Sequence, residues 1–428
     1  MLKKILRCPL FWIMAVCAFG QLLCYANAPI YELGGDTYSY TTEYDHAFRT
    51  PVYPYFAKVI GLFSGYEPER WFAAIAICQR IVFFVSIALF YKVVKMLTKK
   101  QGLVNGITLL YGLSPGLISW NVLPLTESLS IVEMVALLFF TVRYLKSHRK
   151  LDAILSGIIV LIMVMTRPAA IYLLAVYVVF WVVQIIVALR RHVSQKRMAA
   201  VRSGVIGLGI ALVGVFAYAC INLAYYGQFG ISTVSHINKL LVIVDSGLYQ
   251  KTDNAELRDR IQSAIDSNEA IYDIVWRELY VNYSREELQK FVADLVKRNR
   301  AEYAGIVADK TFGWTTVPFV DSYVSSTKVD VDRAKVAALL FPLNFGSVYV
   351  LIVGGSIWLI VRVFRKKRVD WAILLFVMLV GGNVAVTVLA APYEPARLCV
   401  TSVPVIMAGA AYVFGSERRL DSSFSIKK

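Results

Sequence analysis

Ten stretches of this chain are apolar over about the length that crosses a lipid bilayer, and this pattern constrains the fold more than any other feature. A membrane-spanning helix needs ~20 apolar residues to cross ~30 Å of hydrocarbon. We predict spans at 8–28, 71–93, 103–120, 126–145, 151–166, 168–189, 203–226, 336–361, 371–391 and 397–415. Apolar residues make up 58% of the sequence and charged residues only 17%. The chain is therefore expected to be an all-α, polytopic integral membrane protein with about ten transmembrane helices.

Basic residues lie in every second connection between these spans, which indicates the topology. The net charge is +16, and much of it falls near 92–100, 143–150, 190–202 and 362–368. Cytoplasmic loops of membrane proteins carry an excess of lysine and arginine. Both termini are then cytoplasmic, and the loops at 29–70, 121–125, 227–335 and 392–396 face outside. The positive charge therefore sets orientation and contacts membrane lipids, and it does not indicate nucleic-acid binding.

The first span has two readings. A basic start, an apolar run and Ala26-Asn27-Ala28 also fit a cleavable signal peptide. The apolar run is long for a signal peptide, and cleavage would separate the polar motif that follows from its anchor. We therefore expect the first span to be retained.

The spans divide the chain into three predicted parts. An N-terminal transmembrane block, 1–226, contains the first outer loop, 29–70, and a C-terminal transmembrane block covers 336–428. Between them an extracytoplasmic insert, 227–335, has the mixed charge of a soluble domain. Ser284 and Glu287 have the spacing of a capping box, and helices are expected near 254–267, 269–281 and 285–309. We expect a mostly helical cap over the membrane part, with a partner-recognition domain as the alternative.

The first outer loop combines polar residues with a stiff, apolar segment. Pro51 and Pro54 restrict the backbone and are expected to bar a regular helix there. Between them Tyr53 is presented from a fixed position. The apolar stripe from Phe56 to Phe63 predicts that the following segment lies flat on the membrane.

Several short motifs carry the resemblance to a known family. The first outer loop contains Gly35-Asp36-x-Tyr38-x-Tyr40 and then Arg49-Thr50-Pro51-x-Tyr53-Pro54. Pro124-Leu125-Thr126-Glu127-Ser128, Thr166-Arg167-Pro168 and Glu394-Pro395-Ala396-Arg397 follow in order. The set resembles the polytopic GT-C glycosyltransferases, in particular bacterial proteins similar to protein O-mannosyltransferases and aminoarabinose transferases.

That resemblance implies a GT-C-like fold and transfer of a hexosyl or pentosyl group from a polyprenyl-phosphate donor to a glycan, lipid or protein acceptor on the outer face. It implies that Asp36 is the general base or the organiser of the site. Many members have two adjacent acids in this loop, whereas here Thr37 follows Asp36, which counts against a metal-dependent mechanism. A divalent cation is left open as a cofactor.

The residue types support this chemistry independently of the resemblance. A hydroxyl that attacks an anomeric carbon must lose its proton, which a positioned carboxylate can accept. A leaving phosphate needs cations, and arginine matches its geometry. The candidates for substrate binding are Tyr38, Tyr40, Arg49, Tyr53, Arg80, Glu127, Arg167 and Arg397. We expect Asp36 and several of these arginines to converge on one outward-facing pocket.

Each of these residues also has a structural alternative. Asp36 could cap a short helix, and Arg49 could anchor the loop to lipid phosphates. Arg80 could pair with Glu127 or with Glu133, because a cation within a span is usually paired. Arg167 and Arg397 could extend to the membrane boundary.

Two other functions fit the same broad pattern. One is a polymerase or ligase that uses a longer lipid-linked glycan, with its chemistry in the late outer loop. The other is a transporter or flippase, although the arrangement of seven spans, an insert and three spans lacks the two similar halves of many transporters. Histidine and cysteine spacing predicts no metal site, and no nucleotide-binding glycine loop is present.

Overall fold

All of the regular structure described is helical. The structure, a computed structural model, describes residues 8–26, 29–44, 48–190, 193–232, 234–313, 345–366, 370–390 and 395–415. Within these ranges there is no β-strand. Among the described residues six helices are long and apolar enough to cross a membrane, and a bent pair brings the number to seven, against the ten spans predicted. The prediction of an all-α, multi-pass membrane protein is therefore confirmed.

The N-terminal part consists of ten helices and two short 3₁₀ turns. The turns are Ser119–Val122 and Pro168–Ile171. The helices are α1 Pro9–Ala26, α2 Thr37–Tyr40, α3 Val52–Ser64, α4 Pro68–Leu97, α5 Gln101–Leu113, α6 Pro115–Ile118, α7 Thr126–Ser147, α8 Lys150–Thr166, α9 Tyr172–Arg190 and α10 Gln195–Tyr226.

The rest of the described chain continues with shorter helices and then returns to apolar ones. In the insert these are α11 Val234–Asp245, α12 Ala255–Asp266, α13 Ile271–Asp273, a π-helix Ile274–Leu279, α14 Tyr280–Asn282, α15 Arg285–Arg298 and α16 Arg300–Gly313. A 3₁₀ turn, Leu248–Lys251, follows α11. The C-terminal block contains α17 Phe345–Lys366, α18 Trp371–Ala390, α19 Pro395–Cys399, a 3₁₀ turn Val400–Ser402 and α20 Val403–Phe414.

Each predicted span coincides with a helix or a broken helix, with differences at the ends. The span predicted at 103–120 is bent by 45° between α5 and the helix that starts at Pro115. Proline at the first position of α6 removes a backbone donor, which explains the break. The span predicted at 397–415 is interrupted by the turn Val400–Ser402. The part of the predicted span 336–361 before residue 345 lies outside the described residues.

The expectation that two prolines exclude a helix at 51–54 was wrong. Helix α3 begins at Val52, directly after Pro51, and contains Pro54 in its first turn. The amides of a first turn have no partner within the helix, so a proline there costs no hydrogen bond. The outward face of α3 exposes Val59, Leu62 and Phe63, with Phe63 89% exposed, as expected for a helix lying on a membrane.

Helices α8 and α10 pack with their backbones in contact. A Cβ atom added to Gly157 would lie 2.2 Å from the backbone carbon of Gly207. One turn earlier on α10, a Cβ on Gly204 would meet the ring of Trp181 at 2.1 Å. Small residues permit this close approach of membrane helices, which gains van der Waals contact.

The insert has a hydrophobic core of its own. Its buried members extend from Ile237 to Leu295 and come from α11, the 3₁₀ turn Leu248–Lys251, α12, the π-helix and α15. The predicted capping box at the start of α15 is present: Ser284 accepts from the Glu287 amide, and Glu287 accepts from the Ser284 amide at 2.7 Å. The helices predicted at 254–267 and 285–309 are observed, the second with a break at Asn299.

Candidate active site

Asp36 lies between two arginines in the turn that precedes α2. Its carboxylate makes no capping hydrogen bond to that helix, in contrast to the structural alternative. Instead Oδ1 lies 2.5 Å from Nη2 of Arg49, and Oδ2 lies 2.6 Å from Nη2 of Arg397. Gly34 allows the turn to pack closely, because a Cβ there would meet Leu125 at 2.9 Å. The loop therefore presents both oxygens of Asp36 to guanidinium groups.

Arg49 is held by contacts from the first outer loop and from α10. Nε donates to the Ser39 hydroxyl at 3.0 Å, and Nη1 donates to the Tyr40 hydroxyl at 3.1 Å. The guanidinium carbon also lies 4.4 Å from the centre of the Tyr40 ring, a cation–π distance. From α10 the Tyr218 hydroxyl donates to the Arg49 carbonyl oxygen at 3.3 Å. The side chain of Arg49 is only 7% exposed, so its position is fixed by these contacts.

A second carboxylate, Glu127, joins Arg397 to a third arginine, Arg167. It stands in the first turn of α7 and is fully buried. Its Oε1 lies 2.5 Å from Nε of Arg397 and 3.1 Å from Nη2 of Arg167. Arg167 precedes the 3₁₀ turn after α8, and Arg397 lies in α19. Arg397 therefore connects Asp36 to Glu127.

These five residues form one ion cluster, defined here as Asp36, Arg49, Glu127, Arg167 and Arg397. It contains three guanidinium groups and two carboxylates, so it has one positive charge in excess. Burial disfavours the charge on Asp36, but the adjacent Arg49 and Arg397 outweigh this effect and hold the pKa of Asp36 well below its usual range. Asp36 is therefore ionised at any physiological pH.

The ion cluster is open at one end and closed at the other. The side chains of Asp36 and Arg397 are 22% and 13% exposed, whereas that of Glu127 is inaccessible. A small, mainly apolar cavity borders Arg167 and is also lined by Ser130, Asn383 and Thr401. A ligand from outside therefore meets Asp36 and Arg397 first.

The three predicted tyrosines occupy different environments. Tyr38 is 43% exposed and contacts the edge of Phe72 at 6.0 Å. Tyr40 and Tyr53 are buried and meet edge to face at 5.4 Å. The Tyr53 hydroxyl donates to Gln79 Oε1 at 2.5 Å. Of these three rings, only that of Tyr38 is accessible; Tyr40 contacts Arg49, and Tyr53 packs against Tyr40.

Arg80 is not part of the ion cluster. Its Nη2 donates to the carbonyl oxygens of Pro29 at 3.2 Å and Ile30 at 2.5 Å. The adjacent Gln79 points into the bundle instead and donates to the Leu123 carbonyl at 2.8 Å. Neighbouring residues of a helix point in different directions, so only one of the two can face the site. Glu133 also lies apart from Arg80 and accepts from the Thr166 hydroxyl at 2.6 Å.

Sequence reasoning missed three residues that support the site: Ser39, Gln79 and Tyr218. Ser39 lies inside the motif of the first outer loop. Gln79 could have been predicted, because a polar side chain within a span usually has a partner or a function. Tyr218 is one of many tyrosines near span ends, and no pattern in the sequence distinguishes it. Glu394, part of the motif that contains Arg397, lies outside the described residues.

The described residues do not fit a divalent cation. Thr37 stands where many two-acid loops have a second carboxylate, and its hydroxyl accepts from the Gly34 amide at 3.0 Å. Both oxygens of Asp36 already contact guanidinium groups. In the part of the chain that the structure covers, no three histidine, cysteine, aspartate or glutamate side chains come together. We therefore derive no step that passes through a metal.

A comparison with protein families matches part of the chain. Residues 45–218 match the family described as dolichyl-phosphate-mannose-protein mannosyltransferase. The match covers less than half of the chain and includes Arg49, Glu127 and Arg167 of the ion cluster. Over this segment the chain is similar to a family of membrane glycosyltransferases. The match supports, over these residues, the resemblance identified from the sequence motifs.

Solved structures of the oligosaccharyltransferase from Archaeoglobus fulgidus are similar at low identity. One, tethered to an acceptor peptide containing the NVT sequon, is 15% identical, covers 92% of this chain and 49% of its own, and has a TM-score of 0.48. Another, the AglB protein with an inhibitory peptide and a dolichol-phosphate, is 14% identical, covers 98% and 52%, and has a TM-score of 0.45. The chain thus spans about half the length of these structures. No curated protein matches it.

Proposed function

We propose that the protein transfers a single sugar from a polyprenyl-phosphate carrier to a hydroxyl group of an acceptor on the outer face of the membrane. The observation that carries this proposal is the ion cluster, in which two carboxylates and three arginines meet with Asp36 and Arg397 partly exposed. The acceptor is a cell-envelope glycan, a lipid or a protein. We place the protein in the bacterial plasma membrane on the resemblance of its motifs, and the basic residues at 92–100, 190–202 and 362–368 support cytoplasmic termini.

The charge of the ion cluster matches this donor. A sugar joined to a lipid through one phosphate is a phosphodiester with one negative charge, and the cluster has one positive charge in excess. Arg397 is the most exposed of the three arginines, and Arg49 lies on the other side of Asp36. Guanidinium groups bind phosphate oxygens through paired hydrogen bonds. We assign the phosphate of the donor to Arg397 and Arg49.

The reaction is a single displacement. The acceptor oxygen forms a bond to the anomeric carbon while the bond from that carbon to the phosphate oxygen breaks, which inverts the configuration. The hydroxyl proton passes to Asp36, and the leaving polyprenyl phosphate gains one negative charge. The arginines stabilise this developing charge, because they already point at the phosphate site and need no rearrangement during the reaction.

Asp36 must first be released from its ion pairs to act as a base. In the free protein Arg49 and Arg397 hold the pKa of Asp36 well below its usual range, so its affinity for a proton is low. A bound phosphate competes with the carboxylate for the same guanidinium groups. Donor binding would therefore weaken the ion pairs of Asp36 with these arginines. The pKa of Asp36 would rise, so that it could accept the proton of the acceptor hydroxyl. The donor thus activates the base.

Glu127 and Arg167 form the buried support of the site in this proposal. Glu127 has no exposed surface, and its contacts to Arg397 and Arg167 keep both guanidinium groups in place. Tyr40, under the guanidinium of Arg49, has the same role. We assign acceptor selection to the insert, 227–335, and the lipid chain of the donor to the membrane surface beside α3.

Two alternatives use the same architecture. A polymerase or ligase would use a longer lipid-linked glycan and depend on the insert and the late outer loop more than on Asp36. A transporter or flippase would move its substrate without forming a covalent product. The family match over 45–218 favours transfer of a sugar.

The test is a transfer assay on the full-length protein in lipid nanodiscs. Polyprenyl-phosphate hexoses and pentoses with a labelled sugar are supplied together with envelope extract as the acceptor. Asp36→Asn is compared with Asp259→Asn, an insert residue that is 71% exposed and contacts only a neighbouring arginine among the contacts described. We expect release of polyprenyl phosphate and a labelled product from the wild type and Asp259→Asn, and neither from Asp36→Asn.

Three results would contradict the proposal. Full activity of Asp36→Asn would exclude this residue as the base. Movement of the labelled lipid across a vesicle membrane without release of polyprenyl phosphate would support a flippase. Loss of activity on alanine substitution in the insert, with Asp36→Ala active, would support the polymerase or ligase.

A further inference from the structure

The insert contains one side chain from the first outer loop within its own hydrophobic packing. Phe48 packs against the insert core, whose other described members all lie between residues 237 and 306. Within the described residues it is the single apolar side chain from outside the insert in this core. Phe48 immediately precedes Arg49, so the insert contacts the chain directly beside an arginine of the ion cluster.

Contacts to both the ring and the backbone fix Phe48. The guanidinium carbon of Arg285 lies 4.3 Å from the centre of the Phe48 ring. The rings of Trp276 and Tyr280 lie 6.2 and 6.3 Å from it and 5.2 Å from each other. The Ser232 hydroxyl donates to the Phe48 carbonyl oxygen at 2.6 Å. A stack of aromatic rings and a cation–π contact therefore hold this residue against the insert.

The position of Arg285 is unusual for a basic residue. It is the first residue of α15, where the positive end of the helix dipole disfavours a cation. Its guanidinium compensates by lying over the Phe48 ring. Trp276 in turn stands in a π-helix, an irregularity that occurs frequently at functional sites. Both features of the insert converge on the residue before Arg49.

We infer that Phe48 and Arg285 are positioning residues, through which the insert sets the place of Arg49 in the ion cluster. The peptide between Phe48 and Arg49 is short and stiff, and the carbonyl oxygens on both residues are bound by hydroxyls, from Ser232 and Tyr218. A shift of the insert therefore displaces the Arg49 backbone. Given the proposed function, an acceptor bound by the insert would alter the phosphate site through this connection.

The test combines conservative and disruptive variants in the full-length protein in nanodiscs. Arg285→Gln and Phe48→Leu remove the cation–π contact, whereas Arg285→Lys and Phe48→Tyr retain a cation and an aromatic ring. Arg258→Gln is the matched control, because Arg258 lies on the insert and pairs only with Asp259 among the contacts described. Hydrogen–deuterium exchange is measured for peptides covering 48–56 and, separately, for the insert helix α15.

We expect the exchange rate of the 48–56 amides to rise roughly three- to tenfold in Arg285→Gln and Phe48→Leu. This is the effect expected from the loss of one cation–π contact. Arg285→Lys and Phe48→Tyr should stay near the wild type, and Arg258→Gln should be unchanged. Exchange in α15 should stay the same in Arg285→Gln, which leaves the apolar core intact. Unchanged exchange at 48–56 in both disruptive variants, or an equal rise in Arg258→Gln, would overturn the inference.

A kinetic measurement then connects this positioning to the proposed reaction. If Arg49 binds the donor phosphate, Arg285→Gln should raise the KM for the donor more than it lowers kcat. A larger fall in kcat with an unchanged KM would contradict the role of Arg285 at the phosphate site. Absence of transfer by the wild type would refute the proposed function and leave the exchange result to decide the positioning.

Discussion

The guanidinium of Arg397 contacts the carboxylate of Asp36 at 2.6 Å, although the two residues lie near opposite ends of the chain. Asp36 stands in the first outer loop, and Arg397 stands in α19 before the last helix. Their contact closes the helical bundle around one charged site. A site assembled from distant segments requires the fold to be complete before any chemistry can occur.

Replacement of Arg397 should be far more damaging than replacement of Arg80. Arg397→Gln removes two charge-assisted contacts, to Asp36 and to Glu127, each worth about 2 kcal/mol. We expect kcat/KM for the donor to fall by at least roughly thirtyfold. Arg80→Gln, outside the ion cluster, should change it by less than about fivefold. Equal losses in the two variants, measured by initial rates of transfer, would contradict the assignment.

The pH dependence of the two kinetic parameters should differ. Asp36 has a lowered pKa in the free protein, so its ion pairs stabilise the fold above about pH 4 and this contribution is lost only as the pH falls through the lowered value. The profile of kcat/KM reports the free enzyme and that of kcat reports the bound state. If the donor phosphate releases Asp36, the acid limb of kcat should lie at higher pH than that of kcat/KM. If the acid limbs of the two profiles coincide, Asp36 keeps its ion pairs with the arginines in the donor complex.

Glu127 should be essential for stability because it is buried between two arginines. Glu127→Gln leaves Arg167 and Arg397 without their shared carboxylate, and removal of one partner of a buried ion pair typically costs about 3–5 kcal/mol. The midpoint of thermal unfolding in detergent should fall by several degrees. The double variant Glu127→Gln with Arg167→Gln should lose less than the sum of the two single changes. Additive losses would indicate that the pair is not coupled.

The crossing of α8 and α10 gives a prediction about packing alone. Gly157→Ala places a methyl group against the backbone of Gly207, which cannot move aside, so the helices must separate. We expect a loss of about 1–3 kcal/mol, seen as a lower unfolding midpoint and poorer yield of folded protein. Gly209→Ala, on the same helix α10 with no atom within 4 Å of the added carbon, is the control and should be tolerated. A similar loss in both would refute close packing at Gly157.

Much of the fold could be predicted from the sequence because membrane insertion leaves few choices. Apolar runs of bilayer length must be helices, so each predicted span coincides with helical structure. The capping box at Ser284 was equally readable, since both of its hydrogen bonds are local. The prediction that Pro51 and Pro54 exclude a helix failed because both prolines lie at the start of α3, where a helix tolerates proline.

The candidate site could be predicted only in part. Its charged residues were identified from the motif resemblance and from the cost of charge near a membrane, but hydropathy does not determine how a span is rotated. Arg80 and Gln79 are neighbours on α4, and the structure places the amide, not the cation, toward the bundle. The sharing of Arg397 between Asp36 and Glu127 depends on tertiary packing and has no signature in the sequence.

The most direct test of the central claim is to measure donor binding and sugar transfer together in Asp36→Asn. The claim is that the carboxylate competes with the donor phosphate for Arg49 and Arg397 and then accepts the acceptor proton. Native mass spectrometry of protein released from nanodiscs measures binding of polyprenyl phosphate. The Asp36→Asn variant should bind it as tightly as the wild type or more tightly, while sugar transfer is abolished. Loss of lipid-phosphate binding, or transfer at the wild-type rate, would contradict the account.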